Sequence, residues 1–202
     1  MEYARPVIPG SEELFMVIEG KGTYTVEDIE ALPEGKRAEL IDGEMFMMAS
    51  PEVTHQDLAG WLYVRISRYI MEKQGSCKVF LAPFAVYIAD DQHNYVEPDI
   101  SVICDWDKMD KRGCHGAPDW IIEIVSPSGK YMDYVRKLAL YQNTGVREYW
   151  LVDPERKSIT VYRFEGKEGP ELYSFSDKVR AGIYEDFSIE FGEYEFLDFN
   201  HK

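Results

Sequence analysis

The longest regular hydrophobic pattern lies in SPEVTHQDLAGWLYVRISRYIMEKQGS, residues 50–76. Leu58, Leu62, Ile66 and Ile70 recur at every fourth position, and Trp61, Val64 and Tyr69 widen the stripe. That period predicts an amphipathic helix, which Gly75 ends. TYTVEDIEALPEG reads as a short helix with Thr25 as N-cap and Asp28 as an acidic third residue. GKYMDYVRKLALYQNTG reads as a third helix, stopped by Gly145. Between these lie strand patterns. RAELIDGEMFMMAS carries Asp42-Gly43 between two mixed apolar runs, a strong hairpin signal. CKVFLAPFAVYIAD, NYVEPDISVICD, APDWIIEIVSPS and VREYWLVDPERKSITVYRFEG supply further strands, and more follow in ELYSFS and the acidic tail. The order of helix, hairpin, long helix, several strands, helix and strands predicts an α/β fold. A mixed central β-sheet would be flanked by helices. The expected organisation is an N-terminal arm over 1–22 and a single domain over 23–202.

Three carboxylates interrupt apolar strand patterns: Glu39 in AELI, Asp99 in PDISVI and Glu123 in WIIEIV. A strand apolar on both faces is buried on both faces. A carboxylate there is costly unless it is paired, hydrogen-bonded or bound to a cation. Any one of the three reads most simply as an exposed strand residue. Three on neighbouring strands point to a shared neutralising charge, such as a hard divalent cation, Mg²⁺ or Mn²⁺. A Pro-Asp opening one strand and a Glu inside the next form the metal-binding half of the PD-(D/E)XK nuclease pattern. That pattern places a Lys two residues after the Glu, where this chain has Val125. Asp133, Lys137 and Tyr141 stand at i, i+4 and i+8 of the third helix, so Lys137 is a replacement within reach. The spacing fits a surface Asp–Lys pair equally well.

RAELIDGE, SPEVTHQ, EPDISVI, DWIIEIVSPS and DYVRKLALYQNTGVREYWLVDP, in this order, resemble the Uma-type restriction endonuclease family of the PD-(D/E)XK nuclease superfamily. The resemblance spans about Thr23 to Tyr162. It implies a restriction-endonuclease-like core with Glu39, Asp99 and Glu123 as catalytic acidic residues and metal ligands. It also implies Lys137 as the relocated lysine, with Asp133 and Tyr141 in supporting positions. The implied chemistry is divalent-metal-dependent hydrolysis of DNA, with the Ile124 carbonyl as a further ligand.

Composition bounds this picture. The 202 residues carry 22 Lys and Arg against 37 Asp and Glu, a formal net charge of -15. Such a chain does not hold nucleic acid by general phosphate attraction. The charge therefore favours an alternative, a non-catalytic binding or assembly module that keeps the nuclease fold. Arg65, Arg68, Lys73 and Lys78, with Arg136 and Arg147, form the one modest basic run and read as a solvated face. No apolar run approaches the roughly 18 residues of a membrane span. The start of the chain lacks a secretory pattern. Three cysteines, Cys77, Cys104 and Cys114, read as reduced thiols, which suits a cytoplasmic protein. His55 and Gln56 begin the long helix, where His55 either supports the site or fixes the helix start. Ser126 and Ser128 have no Ser-His-Asp logic around them, and Ser128 reads as a helix N-cap. A homodimer is compatible with the edge strands and the long helix.

Overall fold

A computed structural model describes residues 23–198 apart from Asp90, Ser128, Lys167 and Glu168. The arm expected over 1–22 and the capping role expected of Ser128 lie outside the described residues. The first helix, α1 (Val26–Glu30), begins where the short pattern predicts. The Thr25 amide donates to Asp28 Oδ2 at 2.8 Å, and the Asp28 amide to the Thr25 carbonyl at 2.9 Å. β1 (Ala38–Ile41) and β2 (Glu44–Met47) form the expected hairpin. Asp42 and Gly43 both take positive φ, 52° and 77°, as a tight two-residue turn requires.

The long helix α2 (Val53–Glu72) buries Leu58, Leu62, Ile66 and Ile70, the four residues of the predicted stripe. It ends before Gly75: Gln74 takes the left-handed conformation at φ 53°, and the Gly75 amide closes onto the Ile70 carbonyl. β3 (Lys78–Leu81) follows, then β4 (Val86–Tyr87) beyond a cis Ala82–Pro83 bond, and β5 (Ile100–Ile103). β6 (Cys114–His115) pairs with β4 outside the main sheet. β7 (Trp120–Ile124) is the apolar strand that Glu123 interrupts, and all five of its residues are buried. The third helical pattern opens as a wide π turn over Met132–Lys137 and narrows into α3 (Leu138–Thr144), with Gly145 at φ 95° after its end. β8 (Glu148–Asp153), β9 (Ser158–Arg163) and β10 (Glu171–Ser174) complete the main sheet. β11 (Lys178–Arg180) and β12 (Ser188–Glu190) form a separate hairpin.

The main sheet has six strands in the order β10-β9-β8-β7-β5-β3. β7 and β8 run parallel, joined by the π turn and α3, and the other pairs are antiparallel. The fold is therefore α/β with a mixed central sheet. Side-chain alternation along β7 sends Trp120, Ile122 and Ile124 into one core with Leu58, Leu62 and Ile66 of α2. Ile121 and Val125 enter a second core with Tyr141 and Leu140 of α3 and with Tyr149. Glu123, between them in phase, belongs to the α3 face.

The cysteines depart from the expectation of three free thiols. Cys77 and Cys104 form a disulfide, and among the described residues only Cys114 is free. The antiparallel register of β3 with β5 pairs Lys78 with Ile103, so the cysteines just beyond each become neighbours. Pairing at that sequence distance is a property of the sheet register. The disulfide removes the argument from free thiols for a reducing compartment. No helix among the described residues is long and apolar enough to cross a membrane.

Leu62 is fully buried in the core between α2 and the sheet. Leu62→Ala is expected to cost about 2–5 kcal/mol, read as a lower urea midpoint at unchanged slope. A loss below 1 kcal/mol, on the order of an exposed-site change, would contradict this packing.

Candidate active site

Each element brings one group to the same end of the sheet. The hairpin docks through reciprocal Leu40–Tyr95 backbone bonds of 2.7 and 2.8 Å. That pairing aims Glu39 at the chain just before β5, where the Glu97 amide donates to Glu39 Oε1 at 3.0 Å. Asp99 stands at the entrance to β5, beside β7. The Ile124 amide donates to Asp99 Oδ2 at 2.7 Å, and the Asp99 amide lies 3.3 Å from Glu123 Oε2. Thus the two carboxylates are cross-linked through each other's strands.

Lys137 arrives from the opposite layer. The π turn widens the helix over Glu123, and Tyr149 of β8 donates from its hydroxyl to the Asp133 carbonyl at 3.1 Å, tying the turn to the sheet. π turns of this kind often accompany functional sites. Lys137 Nζ lies 2.9 Å from Glu39 Oε2, 2.9 Å from Glu123 Oε1 and 3.9 Å from Asp133 Oδ1. Its side chain is 6% exposed, so the ion pairs are buried. Tyr141, one turn further on, donates to the same Glu123 Oε1 at 2.9 Å. The regular i, i+4, i+8 face read from the sequence is therefore a widened turn followed by α3, and it still delivers Asp133, Lys137 and Tyr141 to one place. Val125 lies on the Glu123 face and is packed in that core. Lys137 reaches Glu123 from above the same face.

His55 reaches the site from the first turns of α2, with Nε2 3.0 Å from Asp99 Oδ2 and a buried Nδ1 that has no hydrogen-bond partner. It does more than begin a helix. Gln56, beside it, lines a cavity that also touches Asp99. Glu97 was not marked by its apolar surroundings, yet it is buried next to the site. Its Oε1 accepts from the Tyr95 hydroxyl at 2.8 Å, and its Oε2 lies 3.5 Å from Arg37 Nη1. Its position two residues before Asp99 in NYVEPD was the available signal. Within the basic run Arg65 and Arg68 pair at the surface with Glu193 and Glu72 at 2.9 and 2.7 Å, Lys73 pairs with Asp186, and Lys78 is exposed at the start of β3. Arg136 pairs with Glu44 at 3.2 Å and Arg147 with Glu165 at 2.7 Å.

The charges are set by this packing. Burial alone would lower the Lys137 pKa, but the charges of Glu123, Glu39 and Asp133 outweigh it and hold it well above the ordinary value. Lys137 is thus held in its charged form by the carboxylates around it. Burial pushes the Glu123 carboxyl up to about 7; Lys137 pulls it down, while Asp99 and Glu39 push it up. Burial also raises Asp133 well above the ordinary range against the pull of Lys137. Burial lowers His55, but its hydrogen bond to Asp99 and the charges of Asp99 and Glu123 give a net rise.

Among the described residues no three His, Cys, Asp or Glu side chains are arranged to hold a metal ion by themselves. The reason is local: Lys137 stands between Glu39 and Glu123, Glu39 also accepts from the Glu97 amide, and Glu123 also accepts from Tyr141 and the Asp99 amide. Asp99, Glu123 and the Ile124 backbone beside His55 are the oxygen donors that lie together, and a cation there would replace one of the Glu123 hydrogen bonds. Two carboxylates and a carbonyl fit Mg²⁺ or Mn²⁺, which take their other ligands from water and phosphate.

A family model described as Uma2, "Putative restriction endonuclease", matches residues 26–188. The chain is 27% identical over 150 residues to "Uncharacterized protein slr1290" of Synechocystis sp., covering 71% of this chain and 76% of that protein. It also superposes on the crystal structure of "a putative nuclease belonging to DUF820 from Anabaena variabilis ATCC 29413". The TM-score is 0.64 at 24% identity, over 79% of this chain and 89% of the other, which shows a shared fold.

The elevated Glu123 carboxyl makes stability pH-dependent. Its value is about 7 in the fold against 4.5 ordinarily, so its contribution is fully present below 4.5 and is lost as pH rises through 7. Asp133 and His55 are also raised and act in the same direction. The metal-free protein is expected to melt at lower temperature at pH 8 than at pH 5.5, with a slope from Glu123 of up to about 1.4 kcal/mol per pH unit. Glu123→Gln is expected to flatten that dependence. A melting temperature that rises over this range, with no difference in the variant, would contradict the site's electrostatics.

Proposed function

This chain belongs to the Uma2 family, and from that premise we propose that it is a divalent-metal-dependent phosphodiesterase acting as a DNA endonuclease. The observation that carries the reading is the buried Lys137 ammonium held at 2.9 Å from both Glu39 and Glu123, beside the more accessible Asp99. Asp99 and Glu123, with the Ile124 carbonyl, would hold Mg²⁺ or Mn²⁺. The cation would supply a lowered water pKa and charge neutralisation at the phosphate.

The chain's own residues perform the rest. Glu39 holds Lys137, and Tyr141 holds Glu123 in a single orientation through its hydroxyl. Lys137 keeps its charge and aims it at the attacked phosphoryl group or at the incoming water. His55, on the Asp99 side, fixes that carboxylate from the opposite layer. The water oxygen forms the new bond to phosphorus as the phosphorus–ester oxygen bond breaks, and the proton that the water gives up, carried by solvent, balances the one that the leaving oxygen takes. No covalent enzyme intermediate is required.

The test is cleavage of DNA by the full chain with Mg²⁺ or Mn²⁺, compared with the metal-free protein. Glu123→Ala and Lys137→Met are each expected to lower the turnover by about 100-fold or more. Metal binding by calorimetry should be lost in Glu123→Ala and kept in Lys137→Met. Cleavage unaffected by Glu123→Ala would overturn the site. Failure to bind either metal would leave the non-catalytic module, which the net charge of -15 favours, as the better reading.

A further inference from the structure

α2 buries Leu58, Leu62, Ile66 and Ile70 against the sheet, yet its opposite face is apolar too. On that face Val53, Val64 and Met71 are 61%, 58% and 67% exposed. At roughly 100° per residue these three and Gly60 fall on one line along the helix, across from Leu62. Large apolar residues aligned on one exposed face form a patch, which marks an interaction surface where scattered single residues do not. Gly60 stands in the interior of this 20-residue helix, where glycine lowers stability relative to alanine. A Cβ there would meet nothing within 4 Å, so packing within the chain does not require the glycine. On an exposed face it lets a second helix come close, since the side chains at the contact set the distance between helix axes.

The spacing of the line identifies the second helix. Val53 and Met71 each stand nine positions from Leu62, and Gly60 and Val64 each stand two. The line therefore reads the same from either end. A second α2, laid antiparallel about a two-fold axis level with Leu62, sets Val53 against Met71 of the partner subunit and Gly60 against Val64 of the partner subunit. Such a contact is isologous, so each pairing occurs twice. The polar edges of the line match as well, because the axis turns like flanks of the two helices toward each other. Asp57 and Arg68 lie on one flank, Gln56 and Ser67 on the other. Asp57 thus comes beside Arg68 of the partner subunit, and Gln56 beside Ser67 of the partner subunit. A parallel pairing would instead set Asp57 against Asp57 of the partner subunit. Arg68 is free to turn toward such a carboxylate, since its pair with Glu72 is 76% and 60% exposed and worth little. Asp57 is held in place at the edge of the line by the Tyr194 hydroxyl, which donates to its Oδ2 at 2.9 Å.

We infer that this face of α2 is the interface with a second copy of the chain, paired antiparallel across Gly60 and Val64. Gln56 and Gly60 also line the cavity of about 210 Å³ that reaches Asp99, so the partner's helix borders the mouth of each cavity. The interface does not rest on the phosphodiesterase reading, and its tests read mass and accessibility instead of turnover. The net charge of -15 repels a second copy, and a contact centred on one helix pair is small, so the dimer is weak and concentration-dependent.

Sedimentation of the full chain from about 1 μM to 1 mM is expected to show monomer giving way to dimer. Val64→Glu should abolish the dimer and leave the melting temperature of the dilute monomer unchanged. Asp57→Arg and Arg68→Glu should each weaken the dimer by about tenfold. The chain carrying both should recover most of that loss, because the pair returns with its signs exchanged. A thiol placed at the cavity rim by Gln56→Cys should react with a maleimide more slowly as the chain dimerises. A full chain that stays monomeric throughout would overturn the inference and leave the face to residues 1–22 or to a different protein. A dimer indifferent to Val64→Glu would put the interface elsewhere and sink the inference equally. Single charge reversals that the double variant does not repair would refute the antiparallel register. A maleimide rate independent of concentration would refute the contact with the cavity.

Discussion

One ammonium group holds this site together. Glu39, Glu123 and Asp133 are buried around Lys137, which lies 2.9 Å from the first two and 3.9 Å from the third. Without that charge the carboxylates would repel one another in a medium that solvates none of them. Removing one partner of a buried pair costs about 3–5 kcal/mol, and here a single removal strands several groups at once. The same pairing ties three parts of the chain: the β1–β2 hairpin, the strand β7 and the crossover that leads to β8. Burial is what chiefly raises the Glu123 and Asp133 carboxyls, against the pull of Lys137.

The sheet explains why the lysine comes from a helix. Glu123 and Val125 share the α3 face of β7, and Val125 is enclosed by Tyr141, Tyr149 and Leu151 in that layer's core. A lysine on the strand would have to share this packed space. The π turn instead lowers Lys137 onto Glu123 from above, and the Tyr149 hydroxyl secures the turn through the Asp133 carbonyl. On the opposite layer α2 carries His55 to Asp99. The site is thus assembled from both sides of the sheet around the pair of strands that cross-link Asp99 and Glu123.

Much of this arrangement was legible because burial leaves a mark in sequence. Glu123 was conspicuous inside a strand apolar on both faces, and the long helix showed its buried stripe by period alone. The six-strand order was not legible, since register and pairing are decided by contacts distant in sequence. The Cys77–Cys104 disulfide was missed for that reason. Glu97 escaped notice because its partners, Tyr95, Arg37 and the Glu39 carboxylate beyond its amide, come from other segments. Glu148 shows the converse limit. It too is a buried strand carboxylate, but its oxygens are occupied by Trp150 Nε1 at 2.7 Å and the amides of Gly182 and Ile183 at 2.6 and 3.0 Å. Sequence context alone does not separate such a structural clip from a chemical group. The π turn is a departure of backbone geometry that helical periodicity does not encode.

The acidic composition, which first counted against a nucleic-acid enzyme, acquires a structural form. Arg65, Arg68 and Lys73 pair with carboxylates of the chain at its surface, and a cavity lined by Gln56, Ala59, Gly60, Leu81 and Ala82 reaches Asp99. The most direct test of the central claim is a crystal structure with Mn²⁺, located by its anomalous scattering. The account predicts Mn²⁺ at Asp99 and Glu123 with Lys137 still paired to Glu39. Anomalous density elsewhere, with Lys137 turned away from both glutamates, would contradict it.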